Sequence, residues 1–231
     1  SKQDILERFY RRMASDGIRH EQNIHAIILE SSKSISMQSE SENFNTYWLI
    51  RFFEYAKNIA GINLQSVWSK VLVTEFLEPG SFSIATLSSL SKMVSEHLDI
   101  CEKLKSICYS NGYIFKVSVD DGFRAPSIDI NEIEILQSLG LIFEAYDMNV
   151  TFNAKDKGLT FCYNGAELIL RHDERQSFTL PAFKVSVIGA QIFGLFGDTT
   201  VNINYLADLG KSLICEGYEY RLRLPDGTLR E

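Results

Sequence analysis

Glu75 is the residue whose position most invites a chemical interpretation. It lies in an apolar, helix-like segment, and the Glu-Pro-Gly that follows at 78–80 predicts the end of that helix because proline has no amide donor. A buried carboxylate can act as a general acid or base when a second titratable group lies near it. The plausible neighbours on adjoining helices are Glu54, Gln65 and His97, and none stands at a spacing diagnostic of acid–base or metal chemistry. Spacing alone therefore assigns no reaction to Glu75.

A structural role is the other interpretation of Glu75. A carboxylate one turn before a helix C-terminus opposes the helix dipole, which favours cations at that end. The amides of residues 79–83, or the hydroxyls of Ser81 and Ser83, could supply the hydrogen bonds that a buried acid requires. We expect this role in preference to catalysis. We also expect Ser81 or Ser83 to cap the next helix.

No catalytic, metal-binding or cofactor-binding residues are predicted elsewhere. The sequence has no HExxH, no GxSxG, no P-loop and no dinucleotide-binding glycine motif. Its cysteines and histidines stand at no zinc-ligand spacing, and we interpret the cysteines as reduced core residues of a cytosolic protein. These residues are Cys101, Cys108, Cys162 and Cys215, and His20, His25, His97 and His172. The glycines at 189, 194 and 197 favour close packing or a helix stop over phosphate binding.

Composition indicates a folded, acidic chain. Among its 231 residues, 45% are hydrophobic and the formal net charge is -7, which argues mildly against a protein that grips nucleic acid with its whole surface. No segment approaches the roughly 18 consecutive apolar residues that a membrane span requires. We therefore expect a cytoplasmic protein without a membrane span in this chain.

Apolar periodicity predicts helices in the first half of the chain. The segment 4–35 is expected to form one bent helix or two short ones, because the Asp16-Gly17 pair interrupts it and glycine costs about 1 kcal/mol in a helix. Its apolar stripe contains Ile24, Ile27, Ile28 and Ile35. The residues 36–43 are polar and predict an exposed loop. Further helices are expected at 46–61, 64–77, 84–93 and 96–109, the last capped by Ser95.

The pattern changes after residue 111. Strands are expected at 113–120, 141–154, 158–173 and 218–224, a turn at 121–127, and helices at 129–141, 186–196 and 204–217 with caps at Asp129, Ser186 and Asn204. The Asn164-Gly165 pair predicts a hairpin turn between two apolar runs. The chain is thus expected to be an α+β protein. A helical domain, 1–110, would precede a smaller, winged-helix-like α+β domain with an antiparallel hairpin, 111–231, and the two could pack as one unit.

Three short motifs follow one another between residues 48 and 83. They are Trp48, Leu49, Phe52 and Phe53; then Gln65, Trp68, Leu72 and Glu75; then Pro79, Gly80, Ser81, Phe82 and Ser83. Together they resemble the signature of an uncharacterised bacterial family that is known as a domain of unknown function. The similarity extends to Gln22-Asn23-Ile24, to residues 136–142, and to 187–196 and 205–218. The chain departs from the family pattern at Thr74 and Phe193.

The resemblance implies a family but no settled activity. A looser similarity to bacterial abortive-infection proteins, which exclude phage, rests mainly on the C-terminal pattern. The interpretation that we favour is a non-enzymatic bacterial interaction or regulatory protein, with a link to phage defence as one option. Its partner would be another protein or a second copy, since the sequence does not show whether the chain covers the apolar residues of its first helix. These are Ile5, Phe9, Met13, Ile24, Ile27 and Ile28.

Two further interpretations stay open. The first is a nucleic-acid-binding, winged-helix-like protein whose wing would be the segment 155–175. In that segment four bases face four acids, which is weak electrostatics for phosphate binding. They are Lys155, Lys157, Arg171 and Arg175, and Asp156, Glu167, Asp173 and Glu174. The second is an unrecognised enzyme with a site around Glu75 and Ser81 or Ser83.

Overall fold

The chain folds into two compact units, Ser1–Ser95 and Glu96–Glu231. The computed structural model describes residues 2–34, 45–109, 112–119, 122–124, 128–143, 148–153, 158–172, 177–214 and 217–230. In these residues the first unit contains helices alone, whereas the second combines helices with antiparallel sheets. The α+β class predicted from the sequence is therefore confirmed. The second unit is longer than the first, and the boundary between the two compact units lies before residue 111.

Four helices form the described part of the first unit. They are α1 (Lys2–Ser32), α2 (Thr46–Ala56), α3 (Ile62–Leu77) and α4 (Ile84–Leu90). Their core is aromatic at its centre, because the Phe52 ring lies 5.2 Å from the rings of both Trp48 and Trp68. Helix α2 begins where the Asn45 side chain accepts hydrogen bonds from the amides of Tyr47 and Trp48, and glycine with φ 95° precedes α3.

Helix α1 is continuous through Gly17, so of the two expected arrangements, one bent helix or two short ones, the chain adopts a single helix. A glycine inside a helix costs about 1 kcal/mol, which a helix of this length can absorb. Asp16 and Arg19, three residues apart on either side of Gly17, form an ion pair of 3.0 Å that supports the same turn. The predicted loop at 36–43 and Ile35 lie outside the described residues.

The second unit has four helices and nine strands in its described part. The helices are α5 (Ser95–Lys105), which starts at the boundary, α6 (Ile130–Ser138), α7 (Val187–Gly194) and α8 (Ile203–Ile214). The strands are β1 (Tyr113–Phe115), β2 (Val117–Val119), β3 (Gly122–Arg124), β4 (Asn149–Asn153), β5 (Gly158–Tyr163), β6 (Ala166–Arg171), β7 (Ser177–Lys184), β8 (Glu219–Arg223) and β9 (Leu229–Arg230).

The strands pair antiparallel in three sheets, with orders β1-β7-β4, β2-β3 and β5-β6-β8-β9. In the largest sheet Leu168 faces both Phe161 and Leu222 across its neighbours, and all three side chains are buried. The rings of Phe115, Phe152 and Phe161 lie 5.0 to 5.8 Å apart. These aromatic contacts form the core of the second unit.

Several local predictions for the second unit were wrong. The segment predicted as one strand at 113–120 divides into β1 and β2, and part of the predicted turn at 121–127 forms β3. Strand β7 was not predicted. Asn202, and not the predicted Asn204, caps α8. Its side-chain oxygen accepts a 3.1 Å hydrogen bond from the Tyr205 amide. By contrast, α6 begins at Asp129 with a reciprocal capping box to Glu132, as an aspartate three residues before a glutamate predicts.

Candidate functional site

Both carboxylate oxygens of Glu75 are used by the turn that follows α3. Glu75 is 3% exposed; its Oε1 accepts a 2.7 Å hydrogen bond from the Gly80 amide, and its Oε2 a 2.9 Å bond from the Phe82 amide. Gly80 has φ 92°, a left-handed conformation that glycine adopts without strain. The turn thereby aims two backbone donors at one buried carboxylate.

This geometry compensates for the unfavourable position of an acid near a helix C-terminus. The helix dipole repels a negative charge there, whereas two amide donors stabilise it through charge-assisted hydrogen bonds. A general acid or base must present an oxygen to its substrate. Because both oxygens of Glu75 bind backbone and the side chain is buried, the arrangement can hold a turn and does not expose a reactive oxygen.

A second side chain holds the same turn from α2. The indole Nε1 of Trp48 donates a 2.8 Å hydrogen bond to the Phe82 carbonyl oxygen. The Phe82 side chain is buried as well. The peptide groups on both sides of Phe82 are therefore fixed, one by Glu75 from α3 and the other by Trp48 from α2.

The two serines of the motif have separate roles. The Ser81 hydroxyl donates a 2.6 Å hydrogen bond to the Glu78 carbonyl, which tightens the turn after α3. The Ser83 hydroxyl accepts a 3.1 Å bond from the Thr86 amide and so caps α4. Pro79 lies between these contacts, where α3 has already ended.

Gln65 links α3 to two other segments of the first unit. Its amide Nε2 lies 3.1 Å from the Ile59 carbonyl and 3.3 Å from the Asn23 side-chain oxygen. Asn23, on α1, donates a 2.9 Å bond to the Lys57 carbonyl. Both Gln65 and Asn23 satisfy backbone carbonyls between α2 and α3, so this pair fixes where α1 lies against the unit.

Trp68 occupies the centre of the first unit. It is fully buried against Phe52, and its indole Nε1 has no hydrogen-bond partner within the described part of the chain. Among the other residues that the sequence suggested near Glu75, Glu54 is exposed and pairs with Arg51, while His97 lies on α5. The structure therefore brings Trp48, Gln65, Trp68 and Glu75 into one packed scaffold.

The hairpin of the second unit turns at Asn164 and Gly165. Their φ angles are 38° and 88°, and they join β5 to β6. The Asn164 side chain also donates a 2.6 Å hydrogen bond to the Thr199 carbonyl. Most charged residues of the suggested wing lie outside the described residues: Lys155, Asp156, Lys157, Asp173, Glu174 and Arg175.

The described cysteines are free thiols in different surroundings. Burial raises the pKa of Cys101 to about 12 and that of Cys108 to about 11. Cys162 is exposed on β5, so the expectation of a core position was wrong for it, and Cys215 lies outside the described residues. Within the described ranges no three histidine, cysteine or acidic side chains cluster in a way that could hold a metal ion.

A groove of about 430 Å³ lies on the second unit, where β6 ends and β8 begins. Across these strands Arg171 faces Glu219, and Arg221 follows two residues later on the same side. The described lining therefore mixes two bases with one acid. It is formed by Ile169, Arg171, Ile214, Tyr218, Glu219, Tyr220 and Arg221.

An uncovered apolar feature of the first unit lies on α1. We define the α1 stripe as Ile5, Phe9 and Met13, which are 69%, 55% and 56% exposed. These residues follow one another at intervals of four along the helix, so they share a face. The sequence suggested these residues together with Ile24, Ile27 and Ile28, and could not tell which of them the chain covers. The structure leaves the α1 stripe exposed and buries Ile27.

The fold and these contacts define a protein of α+β class with a helical unit built around Glu75 and Trp48. The chain belongs to the family described as protein of unknown function (DUF2806), whose model matches residues 7–210. No curated protein and no solved structure matches the chain. No described helix combines the length and the apolar character that crossing a bilayer requires.

Proposed function

We propose that the chain is a non-enzymatic interaction protein that binds a partner through the α1 stripe. The observation that supports this most is a change in exposure along one face of α1. In the second half of the helix this face is buried: Asn23, Ile27 and Ser31 are 8%, 0% and 2% exposed. In the first half the same face carries the α1 stripe and lies open.

Helix geometry shows that the two sets of residues share a face. Ile5 and Asn23, Phe9 and Ile27, and Met13 and Ser31 are each 18 residues apart. Eighteen residues make about five full turns, so each pair lies on the same line along the helix axis. The α1 stripe and the buried residues Asn23, Ile27 and Ser31 thus lie on one face of α1, with the polar residues Asp16 and His20 between them.

The partial cover follows from the lengths of the helices. Helix α1 has 31 residues and α3 has 16, which correspond to about 46 Å and 24 Å. Hydrogen bonds join them from Asn23, which bonds Gln65, to Ser31, whose hydroxyl lies 3.2 Å from that of Ser69. Because α3 begins at Ile62, no earlier turn of α3 exists to cover residues 5–13.

The role of the motif residues agrees with this proposal. Glu75, Trp48 and Gln65 direct their polar atoms at backbone groups of their own unit. An enzyme site at Glu75 with Ser81 or Ser83 would need those atoms for a substrate. The α1 stripe, by contrast, is exposed, and exposed apolar patches on a surface typically mark interaction sites.

The nucleic-acid alternative receives less support. On the described part of the suggested wing, Glu167 pairs with Arg223 at 2.7 Å, which leaves this arginine less able to bind phosphate. A role in phage defence would be one setting for an interaction protein from a bacterium, and it rests on the looser resemblance alone.

Affinity capture tests the proposed function. The full chain and its Phe9→Glu variant would be used as bait in nuclease-treated bacterial lysates, taken with and without phage infection, and bound proteins identified by mass spectrometry. We expect a protein that the wild type retains and the Phe9→Glu variant loses. Ile18→Glu is the matched control, because Ile18 is also exposed but lies on the opposite face of α1. Equal capture by all three baits would contradict the proposal, and material captured only from a parallel lysate without nuclease would favour nucleic acid.

A further inference from the structure

We infer that the partner of the α1 stripe is an amphipathic helix of another protein, with acidic residues along one flank of its apolar face. This inference rests on the proposed function and identifies the chemistry of the occupant. It is carried by the charges beside the stripe, by the like charges that a second copy would bring together, and by the size of the uncovered surface.

Basic side chains lie along one flank of the stripe. At about 100° per residue, Arg12, Arg19 and Arg8 lie roughly 60°, 80° and 100° to the same side of Phe9. All three are exposed. Arg19 pairs with Asp16, whereas Arg8 and Arg12 have no ion-pair partner among the residues that the structure describes. This flank therefore places Arg8 and Arg12, which make no described ion pair, next to the apolar side chains of the α1 stripe.

Among the residues whose side chains the structure describes, no Lys, Arg, Asp or Glu lies within about 100° of Phe9 on the other flank. Tyr10 and Gly17 lie about 100° and 80° to that side of Phe9, and Tyr10 is 66% exposed. An approaching helix would meet arginines on one side and an aromatic ring on the other. Such asymmetry favours a partner whose acids are concentrated on one flank, since opposite charges at an interface set its orientation.

A second copy of this chain fits this surface poorly. In an antiparallel pair of α1 helices the arginine flank would face the same flank of the other copy. In a parallel pair the arginines would avoid each other, but Asp16 would meet Asp16, because it lies only about 20° from the line through Phe9. Like charges that face each other between helices are destabilising. Both arrangements bring such charges together, whereas an acidic partner helix avoids this.

The uncovered surface has the size that a single helix would occupy. The α1 stripe from Ile5 to Met13 extends about 12 Å, and Arg19 lies about 9 Å further along the helix. The stripe supplies apolar side chains at intervals of four, the spacing by which helices recognise one another. A partner helix of about 15 residues could cover the stripe and reach Arg8, Arg12 and Arg19.

Defined peptides test the inference on the full chain. The first probe is a fluorescein-labelled synthetic helix with leucines on one face and glutamates on one flank; the second is the same helix with lysines in place of the glutamates. Fluorescence anisotropy would measure their affinities. We expect the glutamate peptide to bind at least about tenfold more tightly, and this preference to shrink as the ionic strength rises from about 0.05 to about 0.5 M.

Paired variants assign the effect to the stripe and its flank. Phe9→Glu should abolish binding of the glutamate peptide, whereas Ile18→Glu on the opposite face should leave it unchanged. Arg8→Glu combined with Arg12→Glu should reverse the preference toward the lysine peptide, while Arg11→Glu, on the far side of the helix, should not. Circular dichroism of each variant verifies that α1 stays helical.

Several results would overturn the inference. They are equal affinities for the two peptides, a concentration-dependent dimer in sedimentation that Phe9→Glu removes, and Phe9-dependent binding to vesicles of anionic lipid. Loss of peptide binding in Ile18→Glu as well would also contradict it. If capture from lysate depends on Phe9 but the glutamate peptide does not bind, the proposed function stands and the acidic helix is excluded.

Discussion

The carboxylate of Glu75 accepts a 2.9 Å hydrogen bond from the amide of Phe82, seven residues later in the chain. The Phe82 carbonyl in turn accepts a 2.8 Å bond from the indole of Trp48. Two helices that are separate in sequence thus hold one turn through its backbone. The cost of burying a carboxylate is offset locally, and the entry into α4 is fixed as a result.

Replacing Glu75 with glutamine should weaken this turn. The substituted amide keeps one acceptor oxygen, but its NH₂ group would face the amide of Gly80 or Phe82, so one buried donor loses its partner. We expect a loss of about 1–3 kcal/mol in the free energy of unfolding. Urea denaturation measures it. Glu78→Gln is the control, because Glu78 is exposed three residues later and should change stability by less than about 0.5 kcal/mol. Equal effects at both positions would argue against the role of Glu75 in the turn.

Trp48 and Glu75 should be energetically coupled through Phe82. Trp48→Phe removes the indole donor and leaves the Phe82 carbonyl unpaired in the core. In a double-mutant cycle with Glu75→Gln, we expect a coupling energy of about 0.5–3 kcal/mol, since both side chains hold the same peptide segment. Chemical denaturation of the four proteins supplies the cycle. Tyr47→Phe, at an exposed neighbour, should show no coupling with Glu75→Gln; strictly additive effects of Trp48→Phe would contradict the shared turn.

The sequence predicted elements whose signals are local. Helix α6 was predictable because Asp129 and Glu132 form a capping box and Gly140 follows. Strand β7 was not, because Pro181 lies within it and a proline normally excludes a central strand. Here β7 tolerates it because Pro181 faces the chain just beyond the last pair of β1 with β7, Phe115 with Ala182, where its carbonyl oxygen accepts a 2.8 Å hydrogen bond from the Lys116 amide.

The contacts around Glu75 could be predicted from the sequence only in part. The sequence could point to Glu75 and to a Pro-Gly turn, because an acid in an apolar helix needs hydrogen-bond donors. It could not say that the partners are the amides of Gly80 and Phe82, since every residue except proline carries the same donor. Trp48 was recognisable as a core residue, but its bond to the Phe82 carbonyl depends on how α2 packs.

Gly210 should tolerate no larger residue. A Cβ at this position of α8 would lie 2.4 Å from the ring of Tyr220, which is held on β8. We expect Gly210→Ala to destabilise the protein by about 1–3 kcal/mol through overpacking. Gly194→Ala is the matched control at the end of α7, where a Cβ meets nothing within 4 Å, and it should be neutral or slightly stabilising. Thermal unfolding of the two variants compares them. A stable Gly210→Ala variant would show that α8 does not lie this close to β8.

Cys101 and Cys108 should resist alkylation in the folded protein. Burial raises the pKa of these thiols from the ordinary 9.0 to about 12 and about 11, so little thiolate is present at neutral pH. Exposed Cys162 should react with iodoacetamide first, as peptide mapping by mass spectrometry would show; in urea all three should react. Rapid labelling of Cys101 without denaturant would contradict its burial.

The same shifts predict a loss of stability at high pH. The folded protein holds the protons of Cys101 and Cys108 more tightly than the unfolded chain does, because their pKa values are raised on folding. Their contribution is fully present below pH 9.0 and falls as the pH rises toward about 11 and 12. Urea denaturation between pH 8 and 10.5 should show this decline, and Cys101→Ala should reduce its slope. An unchanged slope in this variant would exclude Cys101 as a source.

The exposed half and the buried half of this face of α1 should differ strongly in their response to the same substitution. Phe9→Glu places a charge where the side chain is 55% exposed, so the free energy of unfolding should change by less than about 0.5 kcal/mol. Ile27→Glu, 18 residues later on the same line, buries an unpaired carboxylate at a position with no exposure, and we expect a loss of about 4 kcal/mol or more. Urea denaturation distinguishes them, and circular dichroism reports helix content. If Phe9→Glu also unfolded the chain, the first half of α1 would be covered by the protein itself, and the stripe would not be free to bind a partner.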